Sequence, residues 1–165
     1  MPRPEIDIAG VFAPHDHKTC ASRALDEAEA RLLAEGARLT PVRRRTLEIL
    51  LESHRALGAY DVLDRLAAEG FGRQPPVAYR ALEFLVQHGL AHWLQRLNAF
   101  TACLHPGSDH NPAFLICRSC DKIAEANAGE VREALADVAG HGGFRVERAT
   151  IEALGLCSAC AEAEA

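Results

Sequence analysis

The chain has 165 residues, of which 48% are hydrophobic and 25% charged, and a formal net charge of −5. That length allows one generous domain or two small ones, and the composition is that of an ordinary soluble globular protein. With no signal peptide and no apolar membrane-spanning run, secreted and membrane classes are set aside and a reducing cytoplasmic compartment is expected. The net charge looks wrong for a nucleic-acid binder until its distribution is read. Residues 38–97 carry nine Arg against six acids, or +3, whereas residues 1–37 carry −3 and residues 98–165 carry −5. Such asymmetry points to a division of labour, with a basic part that faces an anion and an acidic, Cys-rich part that holds cations.

Residues 1–20 read as a disordered tail; its His15, His17 and Cys20 are metal-ligand types, but a short tract with no core to fix its geometry is read as tail rather than as a site. From Ser22 to Glu35, Leu25, Ala28 and Leu32 recur at helical spacing among charges, and Gly36 supplies a stop, so a first amphipathic helix is expected with Ser22 as its cap. Thr40-Pro41 opens a second helix, with the hydroxyl at the cap and the proline in the first turn, where its missing N–H costs nothing. Leu47, Leu50 and Leu51 give that helix a core face, and Arg43, Arg44 and Arg45 cluster at its start. A third helix covers about Ala59 to Ala68, with Tyr60, Leu63 and Leu66/Ala67 on one side. Pro75-Pro76 opens a fourth, whose Val77, Leu82, Leu85 and Val86 face inward and which closes at His88-Gly89. Two alternating runs follow, Leu90 to Gln95 and Ala99 to Leu104, joined through Arg96-Leu97-Asn98. Short helices followed by a hairpin predict a winged helix-turn-helix over residues 21–104.

In that architecture the last helix before the wing enters the major groove of duplex DNA by its N-terminal turns. Tyr79 and Arg80 stand there. Arginine presents a planar fork that can bond guanine O6 and N7 together, and tyrosine can contact phosphate or a thymine methyl. Arg43, Arg44, Arg45 and Arg73 would supply the phosphate contacts that set register without reading bases.

After a hinge at residues 105–111, residues 112–165 change character. Phe114-Leu115-Ile116 is a short apolar strand, Lys122 to Ala126 its return, Gly129 to Ala139 a helix with Val131, Leu135 and Val138 on one face, and Phe144 to Glu147 an alternating strand. Cys117-Arg118-Ser119-Cys120 follows the first strand and Cys157-Ser158-Ala159-Cys160 lies near the end. Two Cys-x-x-Cys knuckles offer four thiolates to one tetrahedral ion, and in a reducing compartment that pattern favours a structural zinc over disulfides. The whole is expected to be α+β, a winged-helix domain followed by a small α/β dimerisation domain closed by zinc. An exposed sheet edge in so small a unit invites pairing with a second copy, so a homodimer is expected.

A second group of ligand types comprises His92, Cys103, His105, His110 and Glu125. It draws on both sides of the hinge, so metal binding there would make domain orientation depend on metal, as a sensor requires.

Several blocks resemble the ferric uptake regulator family, and most closely its zinc-uptake branch: Leu39-Thr40-Pro41-Val42-Arg43, Ala59-Tyr60-Asp61-Val62-Leu63, Pro76-Val77-Ala78-Tyr79-Arg80-Ala81-Leu82, Phe114 to Cys120 and Ile151 to Cys157. The resemblance runs from about Arg31 to Cys160. It implies a dimeric winged-helix repressor that binds operator DNA when its regulatory metal is loaded and that controls zinc-uptake genes, with no enzymatic activity. It implies two zinc ions per chain, a structural one on Cys117, Cys120, Cys157 and Cys160 and a regulatory one on His92, Cys103, His110 and Glu125. The DNA-binding set is Tyr60, Tyr79, Arg80, Arg43, Arg44, Arg45 and Arg73. The chain departs from the family pattern before the first knuckle, where only Asp109-His110 stands in place of a histidine cluster, and at Leu154, where some relatives have histidine. The connection from Cys103 to His110 is about one residue short, which makes His105 an alternative to His110. Competing readings are iron, manganese or peroxide sensing within the family and, outside it, a zinc hydrolase or deaminase; the Cys103 thiolate suits zinc better than manganese.

Overall fold

The computed structural model describes residues 11–14, 16–106 and 111–164. Two compact units form, one of His15–Asp109 and one of His110–Ala165 together with the start of the chain. The first ten residues of the expected tail, and His15 within it, lie outside the described residues.

The first unit begins with α1 (His17–Ala34), which starts five residues before the expected Ser22. Asp16 is the reason: its carboxylate accepts from the Lys18 backbone N–H at 3.0 Å and from the Thr19 hydroxyl at 2.8 Å, satisfying donors that a helix start leaves without partners. His17 to Cys20 are therefore helical and belong to no tail. Ala24, Ala28 and Leu32 form the buried stripe, and the chain turns away at Gly36 with φ +70°. Helix α2 (Pro41–Leu51) starts where Pro41 predicts, but the Thr40 side chain makes no capping bond. The proline sets the first turn, and the Thr40 carbonyl accepts from the Arg44 N–H at 2.8 Å. In α3 (Ala59–Ala68), Val62, Leu63 and Leu66 turn inward; Tyr60, expected beside them, is 62% exposed. Helix α4 (Pro75–Gln87) buries Ala78, Ala81, Leu82 and Leu85, with Val86 at the margin rather than in the core.

Strands β1 (Ala91–Leu94) and β2 (Ala99–Ala102) form the expected antiparallel wing, with Ala91 opposite Ala102 and Leu94 opposite Ala99. Leu57, in the α2–α3 connection, exchanges two backbone hydrogen bonds with Phe100 at 2.9 and 2.8 Å, so the wing is stitched to the helical core. Leu32, Leu47, Ile49, Leu50, Leu66, Leu82 and Leu85 are fully buried together. At about 1.5–3 kcal/mol for each such side chain, this cluster is what holds α4 against the other helices.

In the second unit, β3 (Pro112–Cys117) pairs antiparallel with β4 (Ile123–Asn127) and parallel with β5 (Ile151–Gly155), giving the order β4-β3-β5. Helix α5 (Gly129–His141) connects β4 to β5, and α6 (Ser158–Glu164) ends the chain. The element order agrees with expectation, but the third strand does not lie at Phe144 to Glu147. Those residues join no ladder, and Phe144 is 69% exposed. Alternation is a necessary feature of a half-buried strand, not a sufficient one; the free edge of β3 is taken instead by the segment that leads into the second knuckle, with Cys117 opposite Gly155. Helix α5 buries no residue. Its Val131, Leu135 and Val138 are exposed, as is Leu154 on β5. Among the described residues no helix is long and apolar enough to cross a membrane.

Candidate metal centres and nucleic-acid interface

Strand β3 ends at Cys117, and the knuckle turns through Asp121, whose φ of +60° reverses the chain toward β4. The parallel partner β5 delivers Cys157, since the Arg118 N–H donates to the Gly155 carbonyl at 2.8 Å and the Cys157 N–H points at the Cys117 sulfur at 3.4 Å. One sulfur from each of Cys117, Cys120, Cys157 and Cys160 falls within 4.8 Å of all the others. The Cys120 and Cys157 sulfurs are 3.9 Å apart. A disulfide needs about 2.05 Å, whereas a tetrahedron with metal–sulfur distances of about 2.3 Å has an edge of roughly 3.8 Å. The four thiols therefore fit a zinc ion and do not fit two disulfides.

Their proton affinities point the same way. Burial pushes the Cys117 thiol up, but the N–H groups of Cys157, Cys120 and Ser119 outweigh it and bring the group down to about 6. Cys160, hydrogen-bonded to the Cys157 thiol, is pushed up to about 12. The four sulfurs lie close enough together for one divalent cation to favour their thiolate forms, so that metal binding would release protons.

The other predicted ligands are distributed over both units. His92 lies on β1 and Cys103 directly follows β2, where its N–H donates to the Leu90 carbonyl at 2.9 Å. Ligand atoms of His92 and Cys103 are within 4.8 Å of each other, and Cys103 is buried. The wing register thus makes a two-ligand pair from residues eleven apart in sequence. Glu125 is in the middle of β4, opposite Phe114, and is 3% exposed. A carboxylate so buried needs a cation or several donors nearby. His105 is half-buried in the segment after the wing, and His110 lies outside the described residues. On α1, the His17 ring is 4.6 Å from the ring of buried His54, and burial pushes the nearby Cys20 thiol up.

The basic residues separate into two groups. Arg44 pairs with Glu29 of α1 and with Glu48 at 3.1 Å. Arg45 reaches Glu69 at the end of α3 at 2.6 Å, and Glu48 and Glu52 at 3.3 Å each. The hydrogen-bonded Glu69 raises the Arg45 guanidinium further above its usual range. Both residues thus pair with carboxylates of their own domain, Arg44 with Glu29 and Arg45 with Glu69 across helices, and both with Glu48 on their own helix. Arg73 and Arg80 are exposed, and neither is paired with a carboxylate among the described residues. Arg43 stacks its guanidinium over the Phe84 ring, 3.6 Å from the centroid. Arg43 and Arg80 both line a groove of about 580 Å³ between the first turns of α2 and α4, with Thr40, Phe71, Gln74 and Val77. Tyr60 and Tyr79, both exposed, meet edge to face with centroids 6.4 Å apart. Tyr60, Tyr79 and Arg80 together give the N-terminal half of α4 a polar, aromatic and cationic surface.

Comparison with known proteins agrees with this geometry. The model of the ferric uptake regulator family matches residues 34–154. The zinc uptake regulation protein of Escherichia coli K12 is 36% identical over 149 residues, covering 90% of this chain and 87% of that protein. Among solved structures, a zinc uptake regulator complexed with zinc and DNA superposes with a TM-score of 0.80 at 34% identity, over 87% of this chain and 97% of the other. Holo XcZur superposes with a TM-score of 0.76 at 35% identity, over 86% and 99%.

Proposed function

The chain belongs to the ferric uptake regulator family, and we propose that within it the protein is a zinc-responsive transcriptional repressor that binds operator DNA as a metal-loaded homodimer in the cytoplasm and controls zinc-uptake genes. It is a regulator and not an enzyme. The observation that carries the reading is the likeness, over nearly its whole length, to a zinc uptake regulator complexed with zinc and DNA. The four-sulfur cluster with zinc-like spacing supports it.

Two zinc ions are assigned per chain. Cys117, Cys120, Cys157 and Cys160 hold the structural ion; His92, Cys103, His110 and Glu125 hold the regulatory one, with His105 as the alternative to His110. When bound, zinc supplies a dipositive charge and a demand for near-tetrahedral geometry. The chain's own residues supply the rest. Cys103 and His92 present a sulfur and an imidazole from the wing, which packs directly on the core that holds α4. A metal with different affinity for two arrangements of those ligands shifts the population toward one of them, and by reciprocity DNA tightens metal binding.

On the DNA side, Arg80 is assigned to base readout from α4, Tyr79 and Tyr60 to phosphate or thymine-methyl contact, and Arg73 and Arg43 to phosphates. Arg44 and Arg45 are assigned to holding the helices. Val131, Leu135 and Val138 on α5 and Leu154 on β5 are exposed apolar side chains of the kind a second copy of the chain would cover. The test is a titration of operator and unrelated duplexes with and without zinc, iron and manganese. Tightening on the operator by zinc alone is the expected result; tightening by iron or manganese but not zinc would refute the zinc assignment.

A further inference from the structure

The carboxyl end of α1 carries a polar chain to which none of the readings above assigns a role. Arg31 donates its Nε to Glu35 at 3.1 Å and its Nη1 to the backbone carbonyl of Pro106. Glu35 also meets His88 Nδ1 at 2.7 Å. His88 is the residue on which α4 ends, and its ring lies 4.3 Å from that of Phe84, the ring under the Arg43 guanidinium. Gly89 follows with φ +67°, and a Cβ built there would stand 3.5 Å from Arg31 Nη2. Glycine serves that turn by accepting the left-handed backbone, and at 3.5 Å even a Cβ would make only ordinary contact with the guanidinium.

This arrangement joins two places that matter for the switch. Pro106 lies three residues beyond Cys103 and four before His110, so its carbonyl belongs to the segment between two assigned zinc ligands. His88 and Gly89 are the carboxyl end of the helix whose amino end carries Tyr79 and Arg80. One unbroken 13-residue helix connects these two ends, and a rigid element of that kind is one physical route by which coupling travels between sites. Arg31 suits the position because its planar fork can hold a carboxylate and a carbonyl together, which a lysine ammonium on a single stem does not reproduce.

We infer that Arg31 and Glu35 are positioning residues for the zinc response, linking the segment between Cys103 and His110 to the carboxyl end of α4 through Pro106, Gly89 and His88. Neither residue touches metal or DNA in this assignment; each acts through what it holds in place. The inference rests on the proposed zinc-responsive repressor.

The experiment uses the full-length chain holding only its structural zinc, and the same chain loaded with both ions, in operator titrations of the parent, Arg31→Lys, Glu35→Gln and the double variant. The expected result is unchanged zinc stoichiometry and unchanged operator affinity without regulatory zinc. The factor by which zinc tightens DNA binding should fall roughly tenfold, the size of one charge-assisted hydrogen bond made in only one of two states. The double variant should lose no more than the worse single variant, since both residues serve one connection. Equal weakening with and without regulatory zinc would show a merely structural role and overturn the inference, as would a zinc response equal to the parent's in both single variants. Glu35→Gln keeps the question open to refutation if Arg31→Lys folds poorly. A parent that ignores zinc would remove the proposed function and this inference together; a zinc-responsive parent with unaltered variants would remove only this inference.

Discussion

Replacing Cys117 by serine is the sharpest test of how the second unit is held. Cys117 closes β3, receives the Cys157 N–H on its sulfur, and sits where β3 and β5 run side by side. Among the described residues of this unit the large buried apolar side chains are Val11, Phe114, Ile116 and Ile123, joined by Ala113, Ala124 and Ala128, and α5 adds none. Four large side chains at about 1.5–3 kcal/mol each contribute roughly 6–12 kcal/mol. Binding of a structural zinc by four ligands contributes on the order of 10 kcal/mol or more, and because no preformed site exists in the unfolded chain, that binding energy is folding energy. Serine keeps the side-chain size and forfeits the thiolate, so Cys117→Ser should lose zinc and leave a three-strand sheet whose small core contributes about as much as the energy removed. Circular dichroism should show loss of the second unit's strands, and sedimentation should show monomer, with the first unit still helical. Zinc analysis should find the structural ion gone. A Cys117→Ser protein that stays dimeric, retains its strands and binds zinc in full would refute the four-thiolate site and the argument that zinc supplies what the core lacks.

Other outcomes follow from particular contacts. Arg80→Ala should weaken operator binding by about 1–3 kcal/mol and relax base preference, while Arg73→Ala should weaken all duplexes alike and lower the salt slope by about one, both measurable by titration at several salt concentrations. Arg45→Ala should lower thermal stability by no more than about 1 kcal/mol, because Glu69 loses its paired guanidinium while Glu48 keeps Arg44 and Glu52 keeps Arg65, and should leave the salt slope of DNA binding unchanged. Cys103→Ala and His110→Ala should each give a folded dimer with one zinc per chain and almost no zinc-dependent tightening on operator, against about 5- to 150-fold in the parent; if His105→Ala does the damage and His110→Ala is silent, His105 is the ligand. His88 holds the Glu35 carboxyl below its ordinary value of 4.5. A depressed folded-state value means that the contact stabilises above that ordinary value and is lost as pH falls through the depressed one. Unfolding curves of the parent and Glu35→Gln should therefore differ at pH 6 and converge in acid.

Much of the molecule was legible from short-range pattern. Pro41 and Pro75 mark the starts of two helices because a residue without an N–H fits only the first turn, and the leucines of α2 and α4 recur at the helical period that a buried face demands. The two knuckles announce their metal because a two-residue spacer brings two sulfurs to one ion, and the geometry of the four sulfurs agrees. What the linear pattern could not decide depends on partners far along the chain. Phe144 to Glu147 alternates like a strand, yet β3 has one free edge, and the segment that must return Cys157 to Cys117 takes it. Arg44 and Arg45 look like free cations until helix packing brings Glu29 and Glu69 to them. Arg31 looks like an ordinary surface residue of α1, and only the folded chain sets it against Pro106, 75 residues away. Helix starts, periodic faces and ligand spacers are fixed by neighbours within a turn or two; strand pairing and charge pairing are settled by which distant groups the packed core leaves within a few ångströms of one another.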